Sequence, residues 1–252
     1  MMEATELNRL WKTHQLRITD EIAKAPEVLF CNGSVIGTLG NFSASTGKAK
    51  SKKTFNVSAI LAAALTNGEV LRYIAEFPDD KRNVLYFDTE QSPHHCQRVM
   101  KRALQLAGLS LDSHPDNLFF AQLRALTPDI RLELIDNAIA TTPNVGLVII
   151  DGIRDLMFDI NNSIESSRLI NKLMEWTDKY QIHIHTVLHL NKSDDNVRGH
   201  VGTRSLTTRQ KRCYRSAKAR LTAMLPRYRH PVSALWTSRH SRSVSMNTVC
   251  RR

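Results

Sequence analysis

The sequence predicts an α/β fold with a mainly parallel central sheet flanked by helices on both faces. Two observations lead there. Apolar, strand-length runs recur at NVLYFDTE (83–90), LFFAQL (118–123), VGLVIID (145–151) and IHIHTVLHL (182–190). Helix-length segments separate them. The regular succession of strand and helix argues for a parallel sheet covered on both faces. At 252 residues the chain holds one full-sized domain with appendages.

Taken in order, residues 3–24 place Leu7, Leu10, Trp11, Ile18 and Ile22 at mostly helical spacing before Pro26, which predicts an N-terminal helical appendage over 1–27. EVLFCNGSVIGTLGNFSAS reads as two β-rich runs around Asn32-Gly33, a hairpin leading directly into a Lys/Gly/Ser loop. From Thr54, TFNVSAILAAALTNG carries Phe55, Val57, Ile60, Leu61 and Leu65 with alanine between them, a buried helix stopped at Gly68. The remaining helices are expected at 93–107, 129–140 and 163–180, each between two of the four strands.

Composition narrows the function classes. No apolar stretch reaches the ~18 residues of a membrane span, and the charged start MMEATELNRLWKTHQ is unlike a secretory signal, which predicts a cytoplasmic protein. Cys31, Cys96, Cys213 and Cys250 are scattered without CxxC or CxH pairing, so ordinary reduced thiols are expected. The net charge of +11 is uneven: residues 204–252 hold 13 of the 35 Lys/Arg and none of the 24 Asp/Glu, leaving 22 basic against 24 acidic residues over 1–203.

The chemistry concentrates at strand ends. Gly47-Lys48-Ala49-Lys50-Ser51-Lys52-Lys53-Thr54 supplies a loop for phosphates, a lysine for β/γ oxygens and a hydroxyl for Mg²⁺ at a helix start, with Lys52 where a P-loop normally has its second glycine. A residue there with a β-carbon restricts the backbone. Phe55 follows directly. Asp151 closes VGLVIID, where a carboxylate can hold the Mg²⁺ shell. Gly152 comes next, so the water-polarising base must come from elsewhere, and Glu90 at the end of NVLYFDTE is the candidate, with Asp88 expected on the same side. His189, ending the last strand, is placed to sense the γ-phosphate, while His183 and His185 are left unassigned.

Over residues 28–203 the chain resembles the RecA-like ATPases of the RepA hexameric-helicase type, and most closely the AAA-family ATPases of Bacteroides-type mobile elements and plasmids. The resemblance rests on IGTLGNFSASTGKAKSKKTF, VLYFDTEQS, GLVIIDGIRDL and HTVLHLNKSDDNVRGHVGT. It implies ATP and Mg²⁺ at Lys53, Thr54 and Asp151, Glu90 as catalytic glutamate, and His189 at the end of the sensor strand. It also implies an Arg198-Gly199 turn whose arginine faces a neighbouring subunit's nucleotide, a homo-oligomer, and DNA as partner. For residues 204–252 three readings stay open: an out-of-frame or unrelated C-terminus, a DNA-binding arm whose cations displace counterions from phosphate, or a folded extension. Two functions remain in play, an ATPase in DNA replication or mobilisation and a nucleotide-dependent DNA-binding or regulatory protein with little hydrolysis.

Overall fold

The computed structural model describes residues 2–48, 53–159, 162–190 and 212–215, with the backbone alone at 47–48, 189–190 and 212–215. The predicted strand–helix alternation is present. Among the described residues its main sheet has six strands, all parallel, in the order β10-β3-β9-β8-β6-β7. These are β3 (Asn41–Lys48), β6 (Asn83–Asp88), β7 (Leu118–Gln122), β8 (Val145–Asp151), β9 (His183–Leu190) and β10 (Arg212–Arg215). The basic segment therefore contributes a strand against β3; the rest of 204–252 lies outside the described residues.

Each face of this sheet is covered by two helices. Val84 and Tyr86 of β6, Leu147 and Ile149 of β8 and Val187 of β9 share a core with α2 (Lys53–Thr66) and α3 (Pro93–Ala107). The alternate residues Leu85, Phe87, Val148, Ile150, Ile184 and Leu188 pack with α4 (Pro128–Thr141) and α5 (Ser163–Tyr180). A period of two in side-chain direction thus assigns these strand residues to one of two cores. Arg131 of α4 is buried, and its guanidinium donates to the carbonyls of Leu123, Arg124 and Asp155, joining the exits of β7 and β8.

A second sheet, antiparallel and in the order β2-β1-β5-β4, lies on the α2 side and shares its core. It comprises β1 (Glu27–Cys31), β2 (Ser34–Thr38), β4 (Glu69–Val70) and β5 (Tyr73–Ala75). Covered by two sheets, α2 is buried from Val57 to Leu65, which is why its sequence is apolar all round instead of on one stripe. The Asn32-Gly33 hairpin forms as expected, with φ of 49° and 72° at its two central residues.

The structure corrects several expectations. The second β-rich run is two strands: the chain turns at Gly40 (φ 70°), so β2 stays in the hairpin while β3 enters the main sheet. β4 and β5, of two and three residues, carry too little sequence for any periodicity. The N-terminal helix α1 (Ala4–Thr13) ends well before residue 24. It buries no residue, and Ile18 and Ile22 beyond it are exposed, so no tertiary contact sustains helical spacing there. α2 stops at Thr66 because Asn67, not Gly68, takes the left-handed conformation (φ 50°). No helix among the described residues is long and apolar enough to cross a membrane.

Candidate functional site

Register gathers the candidate residues on one edge. Across the carboxyl ends of the strands, Gly47 pairs with His189, Val187 with Asp151, Asp151 with Asp88, and Asp88 with Gln122. β9 lies between the strand that carries the loop and the strand that carries Asp151. In a parallel sheet every strand delivers its C-terminal residue to the same crevice, and α2 begins there, at Lys53, five positions after the end of β3.

Lys53 is the centre of charge in this crevice. It is buried, only 5% exposed, in the first turn of α2. Burial lowers its pKa, while the negative charges of Asp151 and Glu90 oppose that shift. A desolvated ammonium at a helix N-terminus, under the charges of two carboxylates, is a donor set matched to a polyphosphate with a divalent cation: the lysine and helix end attract the anion, the carboxylates the cation. Thr54, half-buried, is the next residue, and its carbonyl accepts from Ser58 Oγ.

Asp151 is 4% exposed. Its Oδ2 accepts from Tyr86 Oη at 3.1 Å. Tyr86 is wholly buried, its ring stacked on Phe120 with centroids 4.4 Å apart. Burial first, and then the charges of Asp151 and Asp88, push its phenol well above the ordinary value, so it remains a proton donor to Asp151. The peptide after Asp151 is cis.

The strand expected to run to Glu90 ends at Asp88, and the two carboxylates differ in burial. Asp88 is fully buried, whereas Glu90 is exposed in the turn beyond. Asp88 ends the extended run by accepting, at Oδ1, the N–H groups of Glu90 (3.1 Å) and Gln91 (2.7 Å). Burial raises the Asp88 carboxyl pKa and those backbone donors pull it back.

Behind the crevice a buried polar ladder crosses from β9 to β3. His183 Nδ1 lies 3.0 Å from the Thr38 carbonyl, His183 Nε2 2.8 Å from Ser43 Oγ, His185 Nδ1 2.8 Å from the same hydroxyl, and His185 Nε2 2.9 Å from Ser45 Oγ. Burial favours the neutral form of both imidazoles. With both neutral, the Thr38 carbonyl, which only accepts, sets the directions: His183 donates to Thr38, Ser43 donates to His183, His185 donates to Ser43, and Ser45 donates to His185. Burial lowers their pKa values to about 4 for His183 and about 3 for His185.

The AAA domain family matches residues 31–195. The chain belongs to that family. The AAA domain so defined takes in the loop, Glu90, Asp151 and His189. The RadB recombinase structure is similar to this AAA domain at 20% identity and a TM-score of 0.49, over 73% of this chain and 76% of that one. No curated protein matches.

Within the AAA domain Lys53 lies under the electrostatic influence of Asp151 and Glu90. Gly47 and Lys48 end β3 and His189 sits beside Gly47, as backbone positions only. Ala49, Lys50, Ser51, Lys52 and Arg198 lie outside the described residues. Phe55 is half-buried in α2 with no role at the crevice assigned by its contacts. Sequence reading passed over Tyr86, Thr89 and the buried part played by Asp88. The available signal was Tyr86 and Asp88 at spacing two on an otherwise apolar strand, a polar pair on a face that should be core.

Proposed function

We propose that this chain binds ATP with Mg²⁺ at the crevice on the carboxyl edge of the main sheet and hydrolyses it. The observation that carries the reading is the buried Lys53 ammonium at the start of α2, acted on by the charges of Asp151 and Glu90. Gly47 to Lys53 would cradle the phosphates, with Lys53 on the β/γ oxygens and Phe55 and Arg198 adjoining. Thr54 and Asp151 would hold Mg²⁺, which supplies charge neutralisation across those oxygens. Glu90, solvent-facing at the crevice mouth, accepts a proton from the attacking water, and His189 reads the γ-phosphate end. We place the activity in the cytoplasm, in a homo-oligomer acting on DNA during replication or mobilisation of a plasmid or mobile element, as the resemblance of residues 28–203 and the basic segment 204–252 suggest.

Phosphate release with and without single-stranded DNA, beside nucleotide binding, tests this. Lys53→Ala is expected to weaken ATP binding and abolish DNA-stimulated release; a Lys53→Ala protein as active as its parent sinks the assignment. Lys52 favours a second reading, nucleotide-dependent DNA binding with little turnover, because a side chain there restricts the phosphate-wrapping backbone. Tight ATP binding without phosphate release distinguishes it.

A further inference from the structure

We propose that Asp88 and Thr89 are positioning residues that fix the backbone of Glu90, so that its carboxylate stands toward Lys53 in the crevice. The proposal rests on the role given to Glu90 above. Asp88 takes its donors from the turn that carries Glu90: Oδ1 binds the Glu90 and Gln91 N–H groups, and Oδ2 accepts from Gln91 Nε2 at 3.0 Å. Gln91 is held in turn, its carbonyl accepting from Gln122 Nε2 at 3.1 Å and from Cys96 Sγ at 3.7 Å.

Thr89 locks the other side. Its N–H donates to the Asp151 carbonyl at 2.8 Å, and its hydroxyl accepts from Gly152 N at 3.0 Å and donates to Asp155 Oδ2 at 2.8 Å. Glu90 is thus the exposed residue of a turn pinned both to its own strand and to the exit of β8. A fully buried carboxylate is a costly way to gain stability, since apolar replacements of buried charges are often neutral or better. It is an effective way to fix a turn, because two backbone N–H groups converge on one oxygen. With that turn fixed, only side-chain torsions of Glu90 remain to be ordered around a bound water, and small misplacements of such a group cost roughly 10²-fold in rate.

The experiment uses the full chain and four variants: Asp88→Ala, Asp88→Asn, Thr89→Val, and Glu90→Gln as reference. Two readouts are taken. Amide hydrogen exchange over residues 89–92, without nucleotide, is expected to speed up in Asp88→Ala at unchanged global stability and to return toward the parent in Asp88→Asn, whose amide oxygen still accepts both N–H groups. ATP turnover is expected to fall roughly 10- to 100-fold in kcat for Asp88→Ala and Thr89→Val, with KM and the Kd for a non-hydrolysable analogue within about twofold, and Asp88→Asn recovering most of it.

A loss shared by kcat, KM, Kd and global stability overturns positioning in favour of a merely structural role. So does unchanged exchange at 89–92 in both Asp88→Ala and Thr89→Val. If Asp88→Ala does not fold, the isosteric Thr89→Val decides by the same criteria. Glu90→Gln inactive beside fully active Asp88 and Thr89 variants removes the positioning proposal alone, whereas Glu90→Gln at the parental rate removes the role of Glu90 itself.

Discussion

Acidification should destabilise this protein through two histidines that nothing in the crevice requires to titrate. His183 and His185 are 1% and 0% exposed, and burial holds their pKa values at about 4 and about 3 against an ordinary 6.5. A depressed pKa means that the neutral form is stabilised in the folded state, so the contribution is complete above pH 6.5. As the pH falls below 6.5 the unfolded chain takes up two protons that the folded chain refuses, until the folded pKa values are reached. At pH 5 each histidine lies about 1.5 units below its unfolded pKa, worth about 2 kcal/mol, so the pair accounts for about 4 kcal/mol lost between pH 7.5 and pH 5. The corresponding slope is about 2.7 kcal/mol per pH unit. Urea unfolding at half-unit intervals measures it directly. His185→Gln should halve the slope attributable to the pair, and His183→Gln with His185→Gln should remove it. Other titrating groups, such as Asp88 with its raised pKa, cancel in the difference between parent and variant. A slope unchanged by either substitution would refute the neutral, fixed-tautomer ladder.

Further outcomes follow from single contacts. Gly37→Ala would place a Cβ 2.8 to 3.0 Å from the His183 ring and should cost about 1 to 3 kcal/mol by displacing it, seen as a lower urea midpoint at unchanged m. Tyr86→Phe removes the hydroxyl that donates to the buried Asp151 and should cost about 2 kcal/mol, while a repeat with ATP and Mg²⁺ checks whether bound cation offsets the loss at Asp151. Lys53→Met, replacing a buried ammonium by an apolar chain of similar length, should leave the fold intact by thermal unfolding while nucleotide affinity falls at least tenfold by titration.

The sequence by itself determined the layer order and the edge on which chemistry collects. Apolar runs such as VGLVIID can be satisfied only by burial on both faces, and parallel strands must present their C-terminal residues together, so the place of Asp151 on the carboxyl edge was legible without coordinates. The hairpin was legible because Asn32-Gly33 encodes its own turn. Other features were decided by partners distant in sequence. The β2–β3 break, the short strands β4 and β5, and the end of α1 at Thr13 depend on which surfaces meet, and local propensity is silent about that. The contrast between buried Asp88 and exposed Glu90 is of the same kind: spacing is silent about burial, and a carboxylate capping its own turn ended the strand between them. So is the ladder from Thr38 to Ser45, where four unremarkable polar residues on strands over 130 positions apart become a single chain of fixed protons only because β3 and β9 are in register. Burial and long-range register are properties of the folded whole, which is why they appear only there.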